Sequence, residues 1–454
     1  MLQGSPDLKR RIGLLQATAI NMIDMVGIGP FVVLYLVIQI SAGPYFFFAW
    51  FLGAALSFMD ALIWSELGAA YPLAGGSYNF LKVAFGAEKW GRLFSFLYTW
   101  QTMIQAPLVM ASAAIGFSEY LGFFVPLGFW TGKIISGIVV ILVVILLYRK
   151  IEEIGKLSLF LWMALLIIFI WIIGGGLMHG NILRPLSHIT EGLVVNQLFF
   201  VALGQASVKT VYTFLGYYNV CYLGAEIKNP GKNIPRSMLI SVVGITVLYL
   251  AMNLSVVSVI PWQQAMKNKY VVSEFIRVVS GDRGANIATI IILIVAFASL
   301  FSATLGYSRV PYAAAKDGAF FPVFAKLHPT KNFPYVSLLF LGSLGLIFSL
   351  LFKMKNAIDG ILAMRILVQF VAQAVGVVLL RKRKGTANLP FKMWLYPLPV
   401  IFSISIWLFI FFSTGVASWF ALLLIASGIL VFYLTKDLWK QQKINAKNQT
   451  DLTR

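Results

Sequence analysis

Apolar runs of about twenty residues recur along nearly the whole chain, and this pattern leaves few folds open to it. A helix needs roughly 20 apolar residues to cross a bilayer. About twelve such spans are expected in the 454 residues, at 13–41, 44–70, 93–119, 132–148, 157–178, 196–225, 236–260, 285–309, 335–352, 357–380, 394–413 and 416–435. The longest connections, near 179–195, 261–284 and 310–334, have room for small helices only. Composition agrees, with 59% hydrophobic and 11% charged residues, against about 25% charged in soluble domains. So few charges cannot clothe a water-soluble surface, which excludes soluble enzymes, coiled coils and disordered chains. The expected fold class is an all-α polytopic membrane protein, a single transmembrane domain over 1–435. A polar cytoplasmic tail over 436–454 follows, and its composition predicts disorder.

The formal net charge is +20, from 36 Lys+Arg against 16 Asp+Glu. The basic residues gather in alternate connections: Lys9, Arg10 and Arg11; Lys82, Lys89 and Arg92; Arg149, Lys150 and Lys156; Lys228, Lys232 and Arg236; Arg309 and Lys316; Arg381 to Lys384. The other connections hold fewer, such as Lys133, Arg184, Lys267, Lys269 and Lys353, an asymmetry of about three to one. Positive loops stay inside, so both termini are expected in the cytoplasm of a multi-pass cell-membrane protein. Placement in short loops suits anionic lipid and excludes nucleic acid as a partner. Cys221, the single cysteine, excludes an internal disulfide, and His179, His188 and His328 lie in separate connections. Neither a metal site nor a cofactor is expected. The start, MLQGSPDLKRRIG, does not read as a cleavable signal.

Two spans carry poor helix chemistry. The first contains Asp24-Met25-Val26-Gly27-Ile28-Gly29-Pro30-Phe31, two glycines and a proline within four residues. Pro30 lacks a backbone donor and the glycines permit non-helical dihedrals. Freed peptide groups cannot face lipid, so they must line a polar cavity or bind something. The second break is expected in Phe214-Leu215-Gly216-Tyr217-Tyr218-Asn219. The two fall in the first span of each half of the chain, the placement typical of carriers built from inverted repeats. Five spans over 12–178 and five over 196–382 would form the repeats, with two spans over 394–435 appended. Half-helix N-termini suit a carboxylate, and freed carbonyls suit an ammonium. A zwitterion satisfies both. The alternative is that Gly27, Gly29 and Gly216 serve only close helix packing.

At this point the sequence resembles the amino acid–polyamine–organocation permeases. The resemblance rests on Val26-Gly27-Ile28-Gly29-Pro30-Phe31; on Ser65-Glu66-Leu67 with Tyr71-Pro72-Leu73-Ala74-Gly75-Gly76-Ser77-Tyr78; on Gly216-Tyr217-Tyr218-Asn219 with Glu226-Ile227-Lys228-Asn229-Pro230 and Ile234-Pro235-Arg236-Ser237; and on Ser308-Arg309 with Asp317-Gly318. These segments run in family order from about residue 12 to 380. Pro30 departs from the aliphatic residue commoner there. The resemblance implies the five-plus-five inverted-repeat fold and alternating access, with solute between the first and sixth helices. It implies carboxylate contacts at the backbone amides of Gly27, Ile28 and Gly29. Amine contacts would fall near Met25, Phe214 and Gly216, with Tyr217 or Tyr218 as a covering aromatic beside Asn219. A coupling lysine of the fifth helix would correspond to Lys156, although a register one or two turns deeper meets Met163, Ala164 or Leu165.

An ionisable group in the bilayer costs about 2.5–3.5 kcal/mol on insertion scales, so it is paired or functional by default. Asp24, one turn before Gly27, can hold an ammonium, carry a proton or bond the broken backbone. Glu119 closes the third span. Lys209 is expected to snorkel outward or to pair with Asp24 or Glu119. Arg365 needs a partner, with Asp359 or a freed carbonyl available. Gln105 joins Gln101 and Gln369 as polar candidates for the cavity wall. The function expected is secondary transport of amino acids, proton-coupled or by exchange, with a polyamine or other cationic amine as the alternative solute. No enzymatic activity is expected.

Overall fold

Lipid offers no hydrogen bonds, so each spanning segment must satisfy its own backbone, and helices do this. The computed structural model describes residues 10–86, 90–148 and 151–452, with segments 151–158 and 436–452 described as helical backbone only. Lys9, Lys89, Arg149 and Lys150 of the basic loops, and the side chain of Lys156, lie outside the described residues. The chain is all-α, with no strand among the described residues. Its helices are α1 (Leu14–Val26), α2 (Gly29–Ser41), α3 (Phe47–Ala70), α4 (Ser77–Ala84), α5 (Trp90–Leu121), α6 (Phe129–Leu147), α7 (Ile151–His179), α8 (Leu183–Ser187), α9 (Gln197–Phe214) and α10 (Asn219–Tyr222). There follow α11 (Pro230–Val259), α12 (Trp262–Ala265), α13 (Val271–Tyr307), α14 (Arg309–Lys316), α15 (Tyr335–Leu351), α16 (Met354–Arg365), α17 (Ala372–Lys384), α18 (Leu398–Ser413) and α19 (Val416–Leu452).

Eight helical stretches among the described residues are long and apolar enough to cross a membrane, and two shorter apolar helices, Tyr335–Leu351 and Leu398–Ser413, accompany them. The surface is apolar as lipid requires. On α6, Ile134, Ile138, Ile141 and Ile145 are exposed at helical spacing, while Val139, Val140, Val143 and Leu147 are buried. At the centre, α1 packs on α7, α11 and α13, and α3 packs on α9 and α11. The packing brings both broken helices into one core.

The last helix runs to Leu452, so the tail is helical over 436–452 where its composition predicts disorder. Propagation from a formed helix adds one hydrogen bond per residue and avoids the nucleation cost. Other irregularities carry weaker sequence signals. Gly281 departs from helical geometry inside α13, at φ 74°. A π-helical segment, Ile366–Val371, joins α16 to α17 directly after Arg365.

Candidate functional site

The chain leaves helical geometry at both expected places. Between α1 and α2, Gly27 adopts φ 44°, a region that disfavours any side chain. Between α9 and α10, Gly216 adopts φ 121°. The two breaks touch. A Cβ on Gly216 would lie 2.7 Å from the Met25 amide nitrogen and 2.8 Å from the Asp24 carbonyl carbon. A Cβ on Gly27 would lie 2.7 Å from Ser299 Oγ of α13. Dihedral freedom favours glycine at both sites, and close approach of backbone requires it at Gly216, whereas Gly27 meets the Ser299 side chain instead.

Freed backbone groups are met from neighbouring helices. The Tyr249 hydroxyl of α11 lies 3.0 Å from the Met25 carbonyl and 2.9 Å from that of Thr213, donating to the C-terminal ends of both first half-helices. Ser299 donates to the Asp24 carbonyl at 3.2 Å. The Asn21 side chain accepts from the Val220 amide at 2.9 Å, and Asn219 donates to the Ser302 carbonyl at 3.0 Å. At the start of α2, Gly29 and Phe31 stand among the first four positions, whose N–H groups have no partner within the helix.

Between the breaks lies a cavity of about 40 Å³, room for a few waters at roughly 10–15 Å³ each. Asp24, Met25, Gly27, Ile28, Gly29, Gly216 and Tyr218 line it, together with Ser299, Tyr307 and Arg365. Among the described residues, the Asp24 carboxylate has no hydrogen-bond or ion-pair partner. Arg365 Nη2 is buried without a hydrogen-bond partner, while its Nε donates to Gln369 at 2.9 Å. The guanidinium lies 4.8 Å from the centre of the Tyr218 ring and 5.9 Å from that of Tyr307, the arrangement of a cation on aromatic faces. One acid and one base thus face the same small space, each with hydrogen-bonding capacity unused.

The remaining sequence candidates lie elsewhere. Phe214 packs against Trp50 and Tyr249. Tyr217 donates to Asp60. Asn219 Nδ2 donates to Ser302, while its Oδ1 is buried without a hydrogen-bond partner. Gln105 stands one step behind the wall, 3.4 Å from the Tyr307 hydroxyl. Glu119 lines a second cavity with Lys133, Lys269 and Tyr270. There the Tyr270 side chain raises the Lys269 ammonium above its usual range.

Lys209 requires a correction. It is 4% exposed and pairs with Asp359 of α16, neither snorkelling nor meeting Asp24 or Glu119. A carboxylate on a facing helix neutralises the ammonium where it lies, which makes extension to water unnecessary. Asp359 is thus engaged by Lys209, and Arg365, six residues on and on another face of the helix, lines the cavity. From the sequence, Arg365 stands out only as a charge needing a partner. Its position halfway along an apolar span was the available signal.

At one end of the bundle the charges are paired. Arg381 Nε donates to Glu66 at 2.8 Å, and the Met393 amide donates to the same carboxylate at 2.7 Å. Arg309 Nε donates to Glu226 at 3.2 Å, both side chains buried. Asp317 accepts from Lys82 and from the Tyr78 hydroxyl. The Arg11 and Ile12 amides bond the Glu226 carbonyl, tying the start of the chain to this end.

Similarity to known proteins runs the length of this architecture. The Bacillus subtilis serine/threonine exchanger SteT is 26% identical over 444 residues, covering 94% of this chain and 97% of its own. The branched-chain amino acid permease BcaP of Bacillus subtilis is 23% identical over 466 residues, covering 97% and 96%. The b(0,+)-type amino acid transporter 1 of Mus musculus is 24% identical over 448 residues, covering 94% and 88%. The description of the amino acid permease family matches residues 12–434, and the chain belongs to that family.

Proposed function

We propose that this permease carries amino acids through the cavity between its two broken helices, by alternating access. The observation that carries the reading is the pair of unspent charges, Asp24 and Arg365, facing one space beside exposed peptide groups. An α-ammonium suits Asp24. An α-carboxylate suits the amides at the start of α2, with Arg365 as a second anion contact. The carbonyl of Met25, expected at the ammonium, is engaged by Tyr249, which moves that role toward the Asp24 carboxylate. A cavity of about 40 Å³ is smaller than an amino acid needs, so solute enters when the surrounding helices part.

Twelve spans fit this reading: the ten apolar stretches together with α5 and α9, whose polar residues face the core. We assign five to each inverted repeat, over 12–178 and 196–382, with 394–435 appended. Both termini, and the end sewn by ion pairs, are placed in the cytoplasm, because the basic loops lie there. A polyamine is disfavoured by Arg365, which repels a second cation in the same space. Thermal unfolding in detergent tests the reading, since a ligand bound to the folded state stabilises it by mass action. L-serine, L-leucine, L-glutamate and L-lysine should include at least one that raises the midpoint and supports counterflow in liposomes. Stabilisation by spermidine alone would overturn it.

A further inference from the structure

The core holds a second carboxylate that the solute cavity does not use. Asp60 lies halfway along α3 and is 1% exposed. It accepts from the Tyr217 hydroxyl and, at 3.4 Å, from Trp407 Nε1 of α18. Both donors are neutral, and no cation pairs with it among the described residues. The cations on neighbouring helices are committed: Lys209 of α9 to Asp359, and Arg381 of α17 to Glu66. Tyr249 of α11 faces Trp50 and the broken backbone. The titratable and charged groups near Asp60 are therefore Tyr217, Tyr218 and, behind them, Arg365.

Charge counting in this region is simple. Asp24 and Asp60 are two acids and Arg365 is one base. Arg365 balances Asp24 across the cavity, which leaves Asp60 a buried charge without a partner unless it binds a proton. A zwitterionic solute adds no net charge and cannot supply the balance. Asp60 is also tied to the moving part, because Tyr217 belongs to the break between α9 and α10 and its ring packs 4.9 Å from Tyr218 of the cavity wall.

We propose that Asp60 is the proton site of this permease, bonded to the broken helix through Tyr217, so that each solute crosses while the Asp60 carboxyl carries a proton. The inference rests on the transport reading above. A proton from the outer water forms an O–H bond on one Asp60 oxygen, giving the neutral acid, and returns to water on the inner side when the break rearranges. No other bond forms or breaks.

Proteoliposomes separate this claim from the reading beneath it. Uptake of labelled L-serine, L-leucine, L-glutamate and L-lysine is measured with an acidic exterior and without a gradient, and counterflow is measured at equal pH. Wild-type uptake should rise several-fold with the acidic exterior. Asp60→Asn should lose that stimulation and keep counterflow, and Asp60→Glu should restore the stimulation. Should Asp60→Asn not fold, Tyr217→Phe decides, by a displaced pH midpoint of uptake. Counterflow without any gradient stimulation in wild type, stimulation retained by Asp60→Asn, or an unmoved midpoint in Tyr217→Phe would overturn the proton site and leave the transport reading intact. Wild-type protein inert toward all four probes would overturn both.

Discussion

Two of the places where charge is buried among the described residues are built on opposite rules. At the end that carries Glu226 and Arg309, Glu226, Glu66 and Asp317 each have a base, and the Met393 amide also bonds Glu66. Halfway along the helices, Asp24 and Arg365 face a cavity with capacity unspent, and Asp60 has only neutral donors. Pairing holds helices together. Unpaired charge costs stability and is retained where something else completes it. The difference separates a fastening from a binding place within one bundle, and it can be broken from either side.

The largest effect is expected at the fastening. Glu226→Gln leaves Arg309 buried without its acid, a loss of about 3–5 kcal/mol, seen as a lower midpoint of thermal unfolding. The same change should loosen the end where Cys221, a buried free cysteine, lies, and maleimide should label it faster. Unchanged labelling together with unchanged stability would remove the fastening role. The opposite pattern is expected at the cavity. Arg365→Gln should lose about 2–5 kcal/mol of solute binding, a factor of roughly thirty to several thousand in apparent affinity, with a smaller fall in the unfolding midpoint than Glu226→Gln, because Asp24 can take up a proton or water in the cavity. Wild-type affinity in that variant would erase the contrast. Gly216→Ala lies between the two, because its Cβ would meet the Met25 amide at 2.7 Å in a strained backbone region. A cost of about 1–3 kcal/mol is expected in stability, accompanied by slower uptake.

What could be read from the sequence follows the same division. Both breaks were legible because their cause is local: glycines and a proline inside an apolar run cannot continue a helix cheaply. The spans were legible because bilayer thickness fixes their length. Partners were not. Lys209 finds Asp359 across 150 positions of chain, and Asp60 finds Tyr217 across 157. Such meetings depend on helix rotation, which hydropathy leaves open. Arg365 lines the cavity while Asp359, six residues earlier on another face, meets Lys209. The π-helical segment that follows Arg365 has no glycine or proline to announce it.

The smallest effect comes from the rim of the fastening. Lys82 and Asp317 form an ion pair with side chains 13% and 30% exposed, and the Tyr78 hydroxyl donates to the same carboxylate at 2.5 Å. Water reaches this pair, so its charges are already partly solvated apart from each other. Lys82→Gln leaves Asp317 with Tyr78 and water, and the loss should stay within about 1 kcal/mol. Salt gives the sharper discrimination. With screening over about 8 Å at 0.15 M, raising ionic strength should close the gap between Lys82→Gln and wild type while leaving that of Glu226→Gln open. A Lys82→Gln penalty as large as that of Glu226→Gln and insensitive to salt would show that burial does not rank these pairs, and the contrast with the cavity would then need another cause.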